Sequence, residues 1–335
     1  MTKCAIITGI YGQDGSLLAE YLLAKKYRVV GLVLKLRPGF PGLETAEIIE
    51  TDISDPLEMQ KVFLNVRPEE CYHLAAAHHS SERKTEADIR AQMLRVNFLS
   101  TQAILDALLE KAPRCRFLYA GSSQMHTPES DITVVDENTP YRPSSYYGVT
   151  KVASAQLIDL LRRERGLWGV TTILFNHESV RRSGQYLSRK VTRSVADIVR
   201  RKNEALSPQA DKLCIRDISA RADWSAATDF VRAFHLCLQA DSAMDYVLAS
   251  GKVHTVGELL QEAFQAAGLD WQEFVYTEQL ADRAPQSCLQ GNPQRACKNL
   301  GWKPEKDFSG LIREMVEHDL LAVQCRTGKA VEITG

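Results

Sequence analysis

The sequence has no cysteine pair in C-x-x-C spacing. Its eight cysteines (Cys4, Cys71, Cys115, Cys214, Cys237, Cys288, Cys297 and Cys325) are scattered, several of them in apolar runs. A free thiol in such a run behaves as a small hydrophobe. No metal is expected, and a reducing, cytoplasmic setting is. The chain also lacks a basic tail or polybasic run, and its formal net charge is -1. Neither nucleic acid nor an anionic membrane surface is therefore an expected partner. No apolar run reaches the length of a membrane span. The opening "KCAIITGI" does not read as a secretory leader. Internal repeats and low-complexity stretches are missing too, and the closing "TGKAVEITG" reads as a frayed tail.

What is present is ordinary globular material. The 335 residues, 44% hydrophobic and 25% charged, suffice for one large core and a smaller lobe. "CAIITG" is a short β-branched run, and "GSLLAEYLLAKKY" follows with helical spacing at Leu17, Leu18, Tyr21 and Leu22. "RVVGLVL" then completes a βαβ unit. The alternation continues with a helix from Pro56 to Val66, strand "CYHLAAA", a helix from near Val96 to Glu110, and strand "RFLYAGS". A helix from about Tyr147 to Arg165 and strand "VTTILFN" follow. This pattern predicts a doubly wound parallel α/β sheet. After about Asn176 it loosens into "KLCIRD", "DYVLAS", "TVGELLQEAFQAAG" and "SGLIREMVEHDLL", which predict a smaller α+β lobe.

"TGIYGQDGS" places Gly9, Gly12 and Gly15 between the first strand and its helix. The first glycine permits a tight turn, and the second lets backbone approach a pyrophosphate. The helix N-terminus supplies amide N–H groups. The strand before and the helix after are the context that turns this spacing into a dinucleotide signal. A carboxylate at the end of the second strand would favour NAD. Here the stretch is "GLVLKLRPGF", with Lys35 and Arg37 and no acid, so NADP is expected. Asp52 in "ETDISD" is placed to accept from an adenine amine.

"SSYYGVTKVASAQL" puts Tyr147 and Lys151 on one helix face. A lysine beside a phenol lowers the phenol's pKa and can hold a ribose, so the tyrosine can exchange a proton with a sugar hydroxyl. Upstream, "FLYAGSSQMHTPES" ends a strand in Ser122 and Ser123, followed by Gln124 and His126. Such strand ends face the ligand crevice. Ser122 would bond the same substrate oxygen as Tyr147.

Together these residues resemble the short-chain dehydrogenase/reductase superfamily, in its extended branch acting on nucleotide sugars. Within that branch the chain is similar to the GDP-mannose 4,6-dehydratase family. The likeness runs through "ITGIYGQDGSLLAEYLL", "YHLAAA", "PYRPSSYYGVTK", "LFNHESVRR", "SRKVTRSVADI", "RADW", "GKVHTVGELLQEAF" and "LGWKPEKDFSGLIREMVEHDL". It implies an NADP-binding Rossmann domain over residues 1–175. A nucleotide-sugar lobe would occupy 176–325, with some segments returning to the first domain. On that resemblance Gly9, Ile10, Tyr11, Gly12, Gln13 and Asp14 would hold the pyrophosphate. Lys35 and Arg37 would meet a 2′-phosphate, Asp52 and Ile53 the adenine, and Leu74, Ala75, Ala76 and on to His78 the cofactor's flank. Lys151 would hold the ribose, and His177 and Arg182 match further cofactor contacts. Substrate contacts would come from Ser123, Asn176, Arg189, Lys190, Arg193, Arg221 and Arg283. Catalysis would rest on Ser122, Tyr147, Lys151 and the position of Gln124. The resemblance also implies a GDP-sugar substrate and a homodimer or homotetramer.

The match fails at one chemical position. The family's acid/base carboxylate lies two residues after its serine or threonine, where this chain has Gln124. A neutral amide cannot be a general base near pH 7. The next pair is also altered, to His126–Thr127, and the family's "KRDW" is Arg221–Ala222–Asp223–Trp224 here. The loop after strand two, "LKLRPGFPG", departs as well, in a segment that joins subunits in the family. Three readings stay open: a 4,6-dehydratase with a substitute base such as His126 or Glu178, a 4-keto-sugar reductase or 4-epimerase that needs no such base, and a catalytically silent NADP-binding paralogue.

Overall fold

The computed structural model describes residues 2–37, 39–77, 85–204, 206, 213–277 and 287–327. Arg283, His78 and tail residues 328–335 lie outside them. The first half alternates strand and helix: β1 (Cys4–Thr8), α1 (Gln13–Ala24), β2 (Arg28–Val33), β3 (Glu47–Glu50), α2 (Pro56–Val66) and β4 (Glu70–His73). Next come α3 (Glu86–Leu94), α4 (Ser100–Lys111), β5 (Arg116–Ala120), β6 (Ile132–Val135), α5 (Tyr146–Arg165) and β7 (Gly169–Leu174). The remainder comprises β8 (Asn176–Glu178), α6 (Leu187–Asn203), β9 (Leu213–Ile215), β10 (Arg221–Ala226), α7 (Ala227–Gln239), β11 (Tyr246–Leu248) and β12 (Val253–Thr255). It closes with α8 (Val256–Gln265), α9 (Trp271–Phe274), β13 (Val275–Thr277), β14 (Cys288–Gly291), α10 (Gln294–Leu300) and α11 (Phe308–Thr327).

The main sheet has seven parallel strands in the order β11-β7-β5-β4-β1-β2-β3. β1 and β7 are buried along their whole length, as expected for a parallel sheet covered on both faces. One face packs on α1 and α7 through Leu18, Leu22, Phe230 and Phe234, and the other on α2 and α4 through Met59, Phe63, Ile104 and Leu108. The chain winds outward from β1 to β3, then returns to β4. That reversal opens a crevice at the carboxyl ends of β1 and β4.

Helix ends follow local chemistry. Asp55 caps α2 by accepting from Leu57 and Glu58 N–H, and Pro56 occupies a position that needs no donor. Ser145 caps α5 at Gly148 N–H, and Gly166 closes it at φ +68°.

Three expectations shift. "DYVLAS" joins the main sheet as β11 beside β7, because Tyr246 and Leu248 are buried in the first core. "CYHLAAA" stops pairing at His73, because the Thr8 hydroxyl captures Leu74 and Ala75 N–H at 3.1 Å each. The helix expected from Val96 begins at Glu86 and passes through a π-turn at Arg95–Leu99.

The second lobe packs α6, α8 and α11 against β10 around Trp224, Phe264, Ile312 and Met315. Among the described residues no helix is long and apolar enough to cross a membrane. No group of three or more metal-ligating side chains occurs among them either.

Candidate active site

The glycine loop is built to bring backbone together. Gly9 sits at φ +71°, where a Cβ would lie 2.9 Å from Ala75 Cα. A Cβ on Gly15 would lie 2.3 Å from Gly9 O. The loop is pinned from the far side: Gln13 Nε2 donates to His177 O at 3.1 Å and Ser179 Oγ to Gln13 Oε1 at 2.8 Å. Asp14 Oδ2 pairs with His177 Nε2 at 2.9 Å. Burial opposes both charges, but each partner outweighs it. The Asp14 carboxyl is held below its ordinary range and the His177 imidazole is raised.

Two hollows flank this loop. The first, about 390 Å³, brings Gly9, Tyr11, Gly12, Lys35, Arg37, Asp52, Ile53 and Ala75 together. Arg37 N–H donates to Tyr11 Oη at 3.3 Å, and Tyr11 stacks on Phe40 at 5.0 Å, so the basic loop rests on the glycine loop. Asp52 also holds Ser54 Oγ at 2.6 Å and pairs with Arg95. Ile10 instead turns into the core under Gly31. A bare loop backbone, a helix N-terminus and two cations fit a dinucleotide phosphate chain with a further phosphate.

The second hollow, about 310 Å³, is lined by Asp14, Leu74, Ala76, Ser122, Ser123, Gln124, Tyr147, Lys151, Asn176, His177, Arg182 and Tyr186. The end of β5 delivers the serines and Gln124, the first two turns of α5 deliver Tyr147 and Lys151, α1 delivers Asp14, the segment after β4 delivers Leu74 and Ala76, and β8 with the segment after it delivers Asn176, His177, Arg182 and Tyr186. Ser122 hydrogen-bonds the Tyr147 phenol. Lys151 is 1% exposed, donates to Ala120 O at 2.8 Å and stands 5.5 Å from the Tyr147 ring.

The charges behave differently from the sequence expectation. Burial pulls the Lys151 ammonium down to about 7. Burial also pushes the Tyr147 phenol well up, with Tyr186 adding to it, against the Ser122 bond and the Arg182 charge. Desolvation outweighs any lowering by the lysine.

Gln124 is exposed in this hollow, and its Oε1 accepts from Ser145 Oγ at 3.2 Å. Neither substitute base named from sequence lines the hollow. His126 is 4% exposed, shares a hydrogen bond with Pro140 O at 3.2 Å and packs on Tyr141. Glu178 is buried, accepts from Ser188 Oγ at 2.6 Å and faces Arg182 Nε at 3.4 Å.

The expected substrate cations do not converge here. Arg189 is 2% exposed and forms a two-pronged pair with Asp319 of α11, so the structure gives it a lobe-building task. Lys190 and Arg193 are exposed on α6, outside the lining. Arg221 pairs with Asp131 through both guanidinium nitrogens. Ala222 packs against the second core.

Sequence reasoning passed over the scaffold behind the site. The Thr8 hydroxyl takes the two N–H bonds described above, so its own proton goes to His73 Nδ1 at 2.7 Å. His73 is then neutral, donating from Nε2 toward Thr101 and Ser100, and burial takes its pKa to about 3. Asn97, in the π-turn, clamps Ala77 through N–H and C=O at 2.8 and 3.0 Å and reaches Thr150 on α5 at 3.1 Å. A polar residue amid a buried helical run was the available signal for Asn97. Tyr186 had no such signal.

A family model described as GDP-mannose 4,6 dehydratase matches residues 6–315. GDP-mannose 4,6 dehydratase 2 of Arabidopsis thaliana is 33% identical, over 95% of this chain and 87% of its own length. UDP-glucose 4-epimerase of Thermotoga maritima, solved with UDP-glucose, superposes with a TM-score of 0.79 at 19% identity, covering 97% of this chain and 100% of its own. RMD from Pseudomonas aeruginosa, complexed with NADPH, gives 0.77 at 23% identity over 96% and 100%. At these identities the two structures speak for the fold.

Proposed function

The chain belongs to the GDP-mannose 4,6-dehydratase family, and from that premise we propose that it is an NADP-dependent enzyme that oxidises C4 of a GDP-mannose-type sugar and eliminates water across C5–C6. The observation that carries the reading is the meeting of Ser122, Tyr147 and Lys151 in one hollow beside the glycine loop. Lys35 and Arg37 beside the adenosine-sized hollow support NADP over NAD.

When bound, NADP+ would supply the hydride acceptor for C4 and hold that hydride for return to C6. Gly9, Gly12 and the start of α1 would cradle its pyrophosphate, and Lys151 its nicotinamide ribose. Tyr147 Oη is the group placed to exchange the proton of the 4-hydroxyl, and Ser122 Oγ would hold the same oxygen. The resulting 4-ketone acidifies the C5 hydrogen, which a base must remove before water leaves C6. Gln124 cannot do this.

That amide favours a second reading, in which the enzyme stops at C4 redox chemistry as a 4-keto-sugar reductase or 4-epimerase. The assembled serine, tyrosine and lysine support an enzyme over a silent binding protein. Purified protein with GDP-mannose and NADP+ separates these readings by product mass. Loss of one water, abolished by Tyr147→Phe, supports elimination. An unchanged mass there, with NADPH consumption when a GDP-4-keto sugar and NADPH are supplied instead, supports the reductase.

A further inference from the structure

Elimination needs a second proton carrier, and the hollow offers few. Gln124 is neutral, while His126 and Glu178 lie outside the lining and are engaged elsewhere. Asp14 lines it but is paired with His177 at 2.9 Å. Among the described lining residues, the uncommitted oxygen acid is the phenol of Tyr186, just ahead of α6. Tyr147 is assigned to the C4 oxygen in the reaction proposed above. Tyr186 stands near enough to Tyr147 to act on its ionisation. The Arg182 guanidinium lies 3.6 Å from the centre of the Tyr186 ring, a stacked cation beside the phenol.

We infer that Tyr186 is the second catalytic residue of the hollow, carrying the C5 proton of the 4-keto sugar to the departing C6 oxygen. This rests on the elimination reading above. The Tyr186 phenolic oxygen takes the proton as the C5–H bond breaks. The freed electron pair forms the C5–C6 double bond, and the C6–O bond breaks. The leaving hydroxide takes the hydroxyl proton that Tyr186 carried and departs as water. Tyr186 ends as the phenol it began as. One proton has moved from C5 to the C6 oxygen, and this step consumes no oxidant. Gln124 then has no need to titrate.

The test uses the full chain with GDP-mannose and NADP+ in deuterium oxide. Wild type should release water and acquire deuterium at C5. Tyr186→Phe should lose both by about 100-fold or more, the usual weight of a general acid–base group. It should still bind NADP as wild type does, and still reduce NADP+ in a single turnover at C4. Adding Gln124→Glu to Tyr186→Phe should restore exchange, because a carboxylate then faces the same hollow. Exchange within about threefold of wild type in Tyr186→Phe overturns the role of Tyr186 alone. A wild type that releases no water and leaves C5 unlabelled overturns the elimination reading together with it.

Discussion

Gln124 holds Ser145, the residue that caps the catalytic helix. Ser145 Oγ donates to Gln124 Oε1 at 3.2 Å and accepts from Gly148 N–H at 3.0 Å. Gly148 presses on the same residue from the other side, since a Cβ there would lie 2.2 Å from Gln124 O. Position 124 therefore fixes the first turn of α5, and with it Tyr147. Gln124→Leu should cut kcat about fivefold, the weight of one neutral hydrogen bond, with little change in the KM for sugar. Steady-state kinetics at saturating NADP+ check this, and an unchanged kcat would contradict it.

The Asp14–His177 pair predicts a pH window. His177 is raised, so its contribution is complete below the unfolded histidine pKa and is lost as pH rises through the folded value. Asp14 is lowered, so its contribution is present above the unfolded carboxyl pKa and is lost as pH falls through the folded value. The pair therefore stabilises most between about pH 4 and 6.5. Asp14→Asn should cost about 1.5–3 kcal/mol near pH 5.5, the range for a charge-assisted hydrogen bond. The deficit in Tm should shrink as the pH is raised above 7.

Lys151 runs the opposite way. Its folded pKa is depressed to about 7, so between that value and the unfolded lysine pKa the unfolded chain binds more protons. Stability from this site rises with pH across that window. The Tm difference between wild type and Lys151→Met should move in favour of wild type from about pH 7 to 10. A flat difference in thermal melts would contradict the burial of this amine.

Arg189 tests lobe-building against substrate contact. Removing one partner of a buried ion pair leaves the other uncompensated, at about 3–5 kcal/mol. Arg189→Met should lower Tm by an amount matching that loss while the folded fraction keeps its KM for nucleotide sugar. A large rise in KM with little loss of Tm would restore the substrate role.

Cofactor choice tests the basic loop. Lys35→Ala with Arg37→Ala should weaken NADP by about tenfold or more and leave NAD within about twofold, since only NADP carries the extra phosphate. Fluorescence titration of both dinucleotides reads this directly.

The parts legible in the sequence were those encoded locally. Gly9, Gly12 and Gly15 between a strand and a helix, and Tyr147 with Lys151 one turn apart, carry their geometry in their spacing. The parts not legible depend on distant partners. Three-residue β11 says nothing about β7, the strand it joins. Arg189 looked like one more cation on a basic helix until Asp319, 130 residues on, closed over it. Tyr186 was an ordinary aromatic before α6 until folding set it in the same hollow as Tyr147. Pairing and burial decide such cases, and neither is written in local periodicity.

The fate of the C4 hydrogen tests the account most directly. GDP-mannose carrying deuterium at C4 should give a product one water lighter, with the deuterium retained at C6, and Tyr147→Phe should give none. A product that keeps its water, or deuterium that stays on the nicotinamide, would contradict the elimination and leave this protein a C4 oxidoreductase.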